Sequence, residues 1–159
     1  MLPLAVVAAD LESGEEVLLE SGPAVPALLA SSAMPGIFPP VRIGDRWLVD
    51  GSVASDSPIG AAVKAGASRV WLLPSAPTVP LPRPRGALDV VLRSTSIVLA
   101  RQAESVVAAW AGRCELFVVP APLVPGVSPF SFTKSRELIG SAYRLTRQWL
   151  EEARPEPEL

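Results

Sequence analysis

The sequence predicts an α/β fold, a mainly parallel sheet flanked by helices, on three observations. A stretch with helix signals over residues 57–65 runs straight into a buried-type strand, Arg69 to Leu73, which is the order of a βαβ crossover. The chain has 159 residues, enough for one domain that buries about 68–70% of its unfolded surface. Hydrophobic residues make up 49% and charged residues only 19%, below the ~25% charge of ordinary soluble domains, so a large share of the chain has to be covered.

Taken in order, Leu4 to Asp10 is an apolar run of strand length that ends in an acidic residue. Leu11 to Glu15 holds a Ser-Gly turn before Glu16 to Glu20, and the pair reads as a hairpin. Ala24 to Ala33 reads as a helix through Val25, Leu28 and Leu29, stopped by Met34-Pro35-Gly36. Val41 to Ile43 and Trp47 to Val49 flank the turn dipeptide Gly44-Asp45 as a second hairpin. After Asp50-Gly51 and a polar loop, Ser57-Pro58 opens a helix to about Ala65, with serine as N-cap, proline at the first helical position and Gly66 as C-cap. Five prolines between Pro74 and Arg85 make residues 74–85 an extended connector. From Ala87 to Ala111, Leu88, Val91, Leu92, Val98, Leu99, Val106, Val107 and Trp110 recur at helical spacing opposite Asp89, Arg93, Ser96 and Glu104. Gly112 ends that helix, Glu115 to Val119 is the last strand, and a Pro-rich loop follows from Pro120 to Pro129. The last helix, Lys134 to Ala153, turns Leu138, Ala142, Leu145 and Trp149 inward, with Ile139, Tyr143 and Leu150 beside them. The expected organisation is one unit over 1–153 and an acidic tail over 154–159.

Composition removes several classes of function. A net charge of −2 supplies no clustered cations to displace counterions from phosphates, so nucleic-acid binding is set aside. The first residues lack a basic region followed by a long apolar one, and Asp10 and Glu12 interrupt them early, so export is not indicated. No run reaches the ~18 apolar residues of a spanning helix. One cysteine, Cys114, and no histidine leave neither an internal disulfide nor the usual ligand set for a transition metal, and no cofactor is called for. Cys114 is expected to be a buried strand residue. Without an imidazole, neither Ser-His-Asp nor Cys-His chemistry can be completed from these residues, so any nucleophilic catalysis must use another base.

One carboxylate is placed for that work. Trp47-Leu48-Val49-Asp50-Gly51 puts Asp50 at the C-terminal end of a strand, the rim where ligands bind in open α/β sheets. Asp-Gly is also a plain turn signal. The wider context carries more information. Leu4-Ala-Val-Val-Ala-Ala-Asp-Leu-Glu-Ser-Gly14, Ala30-Ser-Ser-Ala-Met-Pro-Gly-Ile-Phe-Pro-Pro-Val41, Leu48-Val-Asp-Gly-Ser52 with Pro58, and Gly66-Ala67 before a strand resemble, in order and spacing, successive blocks of the patatin-like phospholipase domain. The resemblance is strongest from Leu4 to Leu73, and Val127 to Phe132 with the last helix resembles the family's C-terminal end.

That resemblance implies a three-layer α/β/α fold, here with its N-terminal strands missing, and a Ser-Asp dyad. It makes Asp50 the proton acceptor, which needs no imidazole. Ser52 stands where the family has Gly or Ala, and Ser55-Asp56 where it often has two asparagines. The family's serine lies in Gly-x-Ser-x-Gly after a glycine-rich turn. No such motif occurs in these 159 residues, so the expectation is the C-terminal half of a domain, inactive alone. Ser31 and Ser32 lie within a helix without the sharp elbow that exposes a nucleophile. Asp10 is expected to close a turn, Glu15-Glu16 and Glu151-Glu152 to be solvated, and Trp47, Trp71, Trp110 and Trp149 to face the core. The implied substrate is a lipid or phospholipid acyl ester. The expected location is cytoplasmic, at most peripheral to a membrane, with the missing half or a second copy as protein partner. The alternative is a non-catalytic module that keeps the fold and has lost the chemistry.

Overall fold

The computed structural model describes residues 3–55, 57–74, 86–122 and 132–152. The connector beyond Pro74, most of the loop after Pro120, Asp56 and the tail lie outside these residues, as do the side chains of Leu88 and Leu92. Among the described residues six strands and four helices are formed: β1 (Val6–Asp10), β2 (Glu16–Leu19), α1 (Ala24–Ser31), β3 (Val41–Ile43), β4 (Arg46–Asp50), α2 (Ile59–Lys64), β5 (Arg69–Leu72), α3 (Ala87–Trp110), β6 (Glu115–Val118) and α4 (Ser135–Glu152). A 3-10 turn over Gly51–Val53 follows β4 directly.

The strands fall into two sheets. One has four strands in the order β2-β1-β4-β3, and the other pairs β5 with β6. Every pairing in the first is antiparallel, with Val6 opposite Leu19, Ala8 opposite Asp50 and Val41 opposite Leu48. Only β5 and β6 run parallel, from Arg69 opposite Glu115 to Leu72 opposite Val118. Helices and strands are mixed along the chain as expected, but the described residues do not form a mainly parallel sheet. The reason is geometric: β1–β2 and β3–β4 are joined by connections too short for a crossover, so each pair must be antiparallel. The β5-α3-β6 path alone has a helix long enough to bring the chain back in the same direction.

Cross-strand partners share a face of the sheet, so Ala8, Val17, Leu48 and Val41 point the same way. There they meet Ala30 of α1 in the core cluster, with Leu19 and Ile43 beside it. Ala8 and Ala30 have no exposed surface and Leu48 almost none. Small residues on both elements are what let α1 approach the sheet. On the opposite face, Val7 and Leu18 look towards Pro58, Ala61, Ala62 and Ala65 at α2 across an apolar cleft of about 170 Å³.

Capping departs from expectation at one end of α2 and follows it at the other. The helix starts at Ile59 with Pro58 in the N-cap position and no side-chain cap, so Ser57 does not cap it; Ser57 is instead buried. At the far end Gly66 takes φ +96°. Its N–H donates to the Val63 carbonyl and that of Ala67 to the Ala62 carbonyl, which is the paired closure that glycine makes possible after a helix.

Side-chain expectations are corrected at several positions. Trp47 and Trp71 are 42% and 45% exposed: Trp47 lies at the β3–β4 hairpin under Arg42, and among the described residues β5 has a strand neighbour on one side only. Trp110 and Trp149 are half-buried. Cys114 is half-buried and precedes β6 rather than lying in it. Val91 and Val98 on α3 are exposed; its packing is at the other end, where Trp110 abuts Gly60 of α2. α4 is held to the second sheet by aromatic contacts. Trp71 stacks on Phe117 at 4.5 Å between ring centres and meets Trp149 edge-on at 6.0 Å.

Candidate active site

Asp50 is the last residue of β4 and the N-cap of the 3-10 turn that follows. Three elements fix it, all through backbone groups. Its own N–H donates to the Ala33 carbonyl at 3.0 Å, which ties it to the turn just after α1. Its Oδ1 accepts the Ser52 N–H at 2.9 Å, as an N-cap carboxylate does with a donor otherwise left unpaired. The next residue, Gly51, is buried against β1: a Cβ there would stand 2.5 Å from the Val7 carbonyl oxygen. No side chain fits, so glycine follows the aspartate for closeness and not only as a turn former. The Gly51 carbonyl then accepts the N–H groups of Ala54 and Ser55 at 3.1 and 2.9 Å. From α3, Gln102 Nε2 comes within 3.5 Å of the Ala54 carbonyl. The result is a half-buried carboxylate with one oxygen committed to its own turn.

The remaining candidates are placed differently. Asp10 closes the β1–β2 turn: its Oδ1 accepts the N–H groups of Glu12 and Ser13 at 2.9 and 3.2 Å, and Oδ2 lies 3.8 Å from Arg46 Nε. Those two amides first, and Arg46 with them, hold its carboxyl below the ordinary aspartate range. This is the structural role expected of it. Ser32 Oγ donates back to the Leu28 carbonyl at 2.8 Å, so its hydroxyl serves the end of its own helix. Ser31 is the last residue of α1. Glu15 and Glu16 are exposed; Glu151 pairs with Arg147, and Glu152 accepts from Gln148. Asp56 lies outside the described residues. No cluster of metal-ligating side chains occurs among the described residues.

The apolar cleft is not the candidate site. Its walls include Val7 and Leu18, whereas Asp50 pairs with Ala8, and neighbours along a strand face opposite ways. The sequence marks Asp50 as the candidate carboxylate but says nothing of what holds it. The Ala33 and Val7 carbonyls belong to residues whose type says nothing of the role. The one available signal is that the Ala-Ser-Ser-Ala-Met-Pro-Gly block and the Asp-Gly block lie close together, within residues 30–51.

That coincidence is resolved by comparison. Residues 4–63 match the patatin-like phospholipase family. The matched stretch holds the first sheet, α1, Asp50 and all but the last residue of α2, so the resemblance read from the sequence stands over this part of the chain. An uncharacterised NTE family protein of Mycobacterium bovis is 36% identical over 58 residues, which are 36% of this chain and 16% of the relative. A corresponding protein of Mycobacterium tuberculosis matches to the same extent. A second Mycobacterium tuberculosis protein of the NTE family is 36% identical over 52 residues, 33% of this chain and 9% of the relative. The match therefore spans about a sixth or less of these relatives' own length. No helix among the described residues is long and apolar enough to cross a membrane.

Proposed function

We propose that this patatin-like chain supplies the general base of a Ser-Asp acyl hydrolase acting on lipid or phospholipid esters. The observation that carries the reading is Asp50, set at a strand end by backbone bonds from Ala33 and Ser52 and by the contact of Gly51 with Val7. In this scheme the Asp50 carboxylate takes the proton of a serine hydroxyl as that oxygen attacks the ester carbonyl. An acyl-enzyme forms, the alcohol leaves, and water releases the fatty acid. Asp50 Oδ1 is occupied by the Ser52 amide, so Oδ2 is the oxygen that accepts the proton. The serine and the backbone donors for the oxyanion come from polypeptide outside these 159 residues, since Gly-x-Ser-x-Gly does not occur within them.

The need for such a partner has independent support. α1 carries no charged residue, and Val25, Leu28 and Leu29 are 67%, 53% and 57% exposed on its outer side. A helix that is apolar all round is one that a larger structure covers. The missing half of the domain, or failing that a second copy, is the cover we propose.

The test is Asp50→Asn in the protein extended upstream to include a Gly-x-Ser-x-Gly segment, with turnover of a short-chain nitrophenyl ester as readout. The amide holds the same turn but cannot take a proton near neutral pH. The expected loss is ~10²–10⁴-fold in kcat, the usual contribution of a positioned base. The 159-residue chain alone should not turn over above a buffer blank. An Asn variant within a few-fold of the parent would reject Asp50 as the base and favour the non-catalytic module.

A further inference from the structure

α4 presents two apolar stripes where packing requires one. Leu138, Ala142, Leu145 and Trp149 are half-buried, and Trp149 meets Trp71 of β5. At 100° per residue a second stripe follows about a third of a turn round the helix, made of Ile139, Tyr143 and Leu150. These are 70%, 64% and 46% exposed. Phe132, 82% exposed, stands just ahead of the helix. It is joined to the helix start, because its carbonyl accepts both the N–H and the hydroxyl of Ser135.

Charge is distributed unevenly around this second stripe. On the side away from the sheet, Arg136 and Arg147 border it, within about 60° of its centre. Glu137 and Glu152 fall on the far side of the helix. Glu151 lies between and is engaged by Arg147 at 2.6 Å. An exposed apolar stripe edged by Arg136 and by the Arg147–Glu151 pair, with Glu137 and Glu152 turned away, matches a helix lying in the plane of an anionic lipid surface. Its apolar side chains enter the acyl boundary, and the guanidinium groups remain level with the phosphates. α1 differs in this respect: its outer face is apolar but uncharged, which suits a protein cover and not headgroups. With 18 residues, α4 is about 27 Å long, and it is not apolar enough to span.

We infer that the Ile139, Tyr143 and Leu150 face of α4, with Arg136 and Arg147 at its edge, docks the protein on anionic phospholipid membranes. The inference goes beyond the hydrolase reading and does not depend on Asp50, because its readout is binding and not turnover.

The experiment is co-sedimentation of the 159-residue chain with phosphatidylcholine vesicles, with and without phosphatidylserine. The chain is expected to sediment with the anionic vesicles. Ile139→Ser combined with Tyr143→Ser should lower the partition coefficient at least about tenfold, since two large apolar side chains no longer enter the lipid. Arg136→Gln and Arg147→Gln should each reduce it about fivefold on anionic vesicles and leave neutral ones unaffected. Because all four side chains are exposed, unchanged circular dichroism and melting are the check on folding. Absence of sedimentation, or a double serine variant that binds like the parent, would overturn the proposal. A variant that changes the mass by light scattering but not the vesicle binding would mark the stripe as a protein interface and overturn it equally.

Discussion

Gly51→Ala measures how closely the turn carrying Asp50 is pressed onto the sheet. A Cβ at this position would lie 2.5 Å from the Val7 carbonyl oxygen and 2.8 Å from its carbon. Ordinary carbon–oxygen contact begins near 3.3 Å, so turn and strand must part by about 0.8 Å. The obstacle is backbone in a central strand, not the tip of a flexible side chain. β1 is paired on both sides, to β2 and to β4, and cannot move without disturbing the whole first sheet. Overpacking of this kind costs ~1–3 kcal/mol, and at about 2–4 °C per kcal/mol for a chain of this size the melting temperature should fall roughly 4–8 °C for a mid-range loss. Urea unfolding followed by tryptophan fluorescence gives the free energy. Gly60→Ala is the internal comparison: its Cβ meets the Trp110 ring at 3.0 Å, and a ring edge can give way where a strand cannot, so its loss should be the smaller. A Gly51→Ala protein that melts within a degree or two of the parent, or above Gly60→Ala, would refute the close approach and with it the placement of Asp50.

Two further measurements test the surroundings. Asp10 has a carboxyl held low by the Glu12 and Ser13 amides and by Arg46, so its contribution to stability is complete above about pH 4 and is lost as pH falls through the lowered folded value; the stability gap between the parent and Asp10→Ala should be flat from pH 7 to 5 and shrink below 4, and a gap that widens on acidification would contradict the bonding described. In a double-mutant cycle of Trp71→Leu and Trp149→Leu, the edge-on contact at 6.0 Å should appear as a coupling of ~0.5–1.5 kcal/mol, and zero coupling would mean that α4 does not pack on β5.

Much of the fold can be read from local signals, because local chemistry decides it. The Ser13-Gly14 and Gly44-Asp45 turns announce two hairpins, and both are present. Gly66 marks the end of α2 and closes it as expected. What failed depended on partners distant in sequence. One helix–strand succession suggests parallel pairing, which holds for β5 and β6, whereas the two tight hairpins require antiparallel neighbours. Residue type alone places Trp47 in the core, yet the buried pair in β4 is Leu48 and Val49, and hydrophobicity does not reveal which tryptophan lies at a hairpin end. The 3-10 turn after Asp50 escaped notice because three residues show no periodicity. At the candidate site the sequence marks a carboxylate and not its supports: a carbonyl oxygen has the same chemistry on every residue.

The support of Asp50 by main-chain groups has a consequence for how this segment tolerates change over generations. The Ala33 carbonyl and the Ser52 amide would be present whatever side chains those residues bore, within the limits of space at buried Ala33. Ser52 can therefore replace a smaller residue without moving the carboxylate, whereas proline at 52, lacking the amide, would remove its bond. Position 51 admits no side chain at all. Substitutions along this stretch should accordingly drift at 52, stay small at 33 and stop at 51, so the spread of residues at these three positions in a deep mutational library would trace the backbone scaffold without reference to activity.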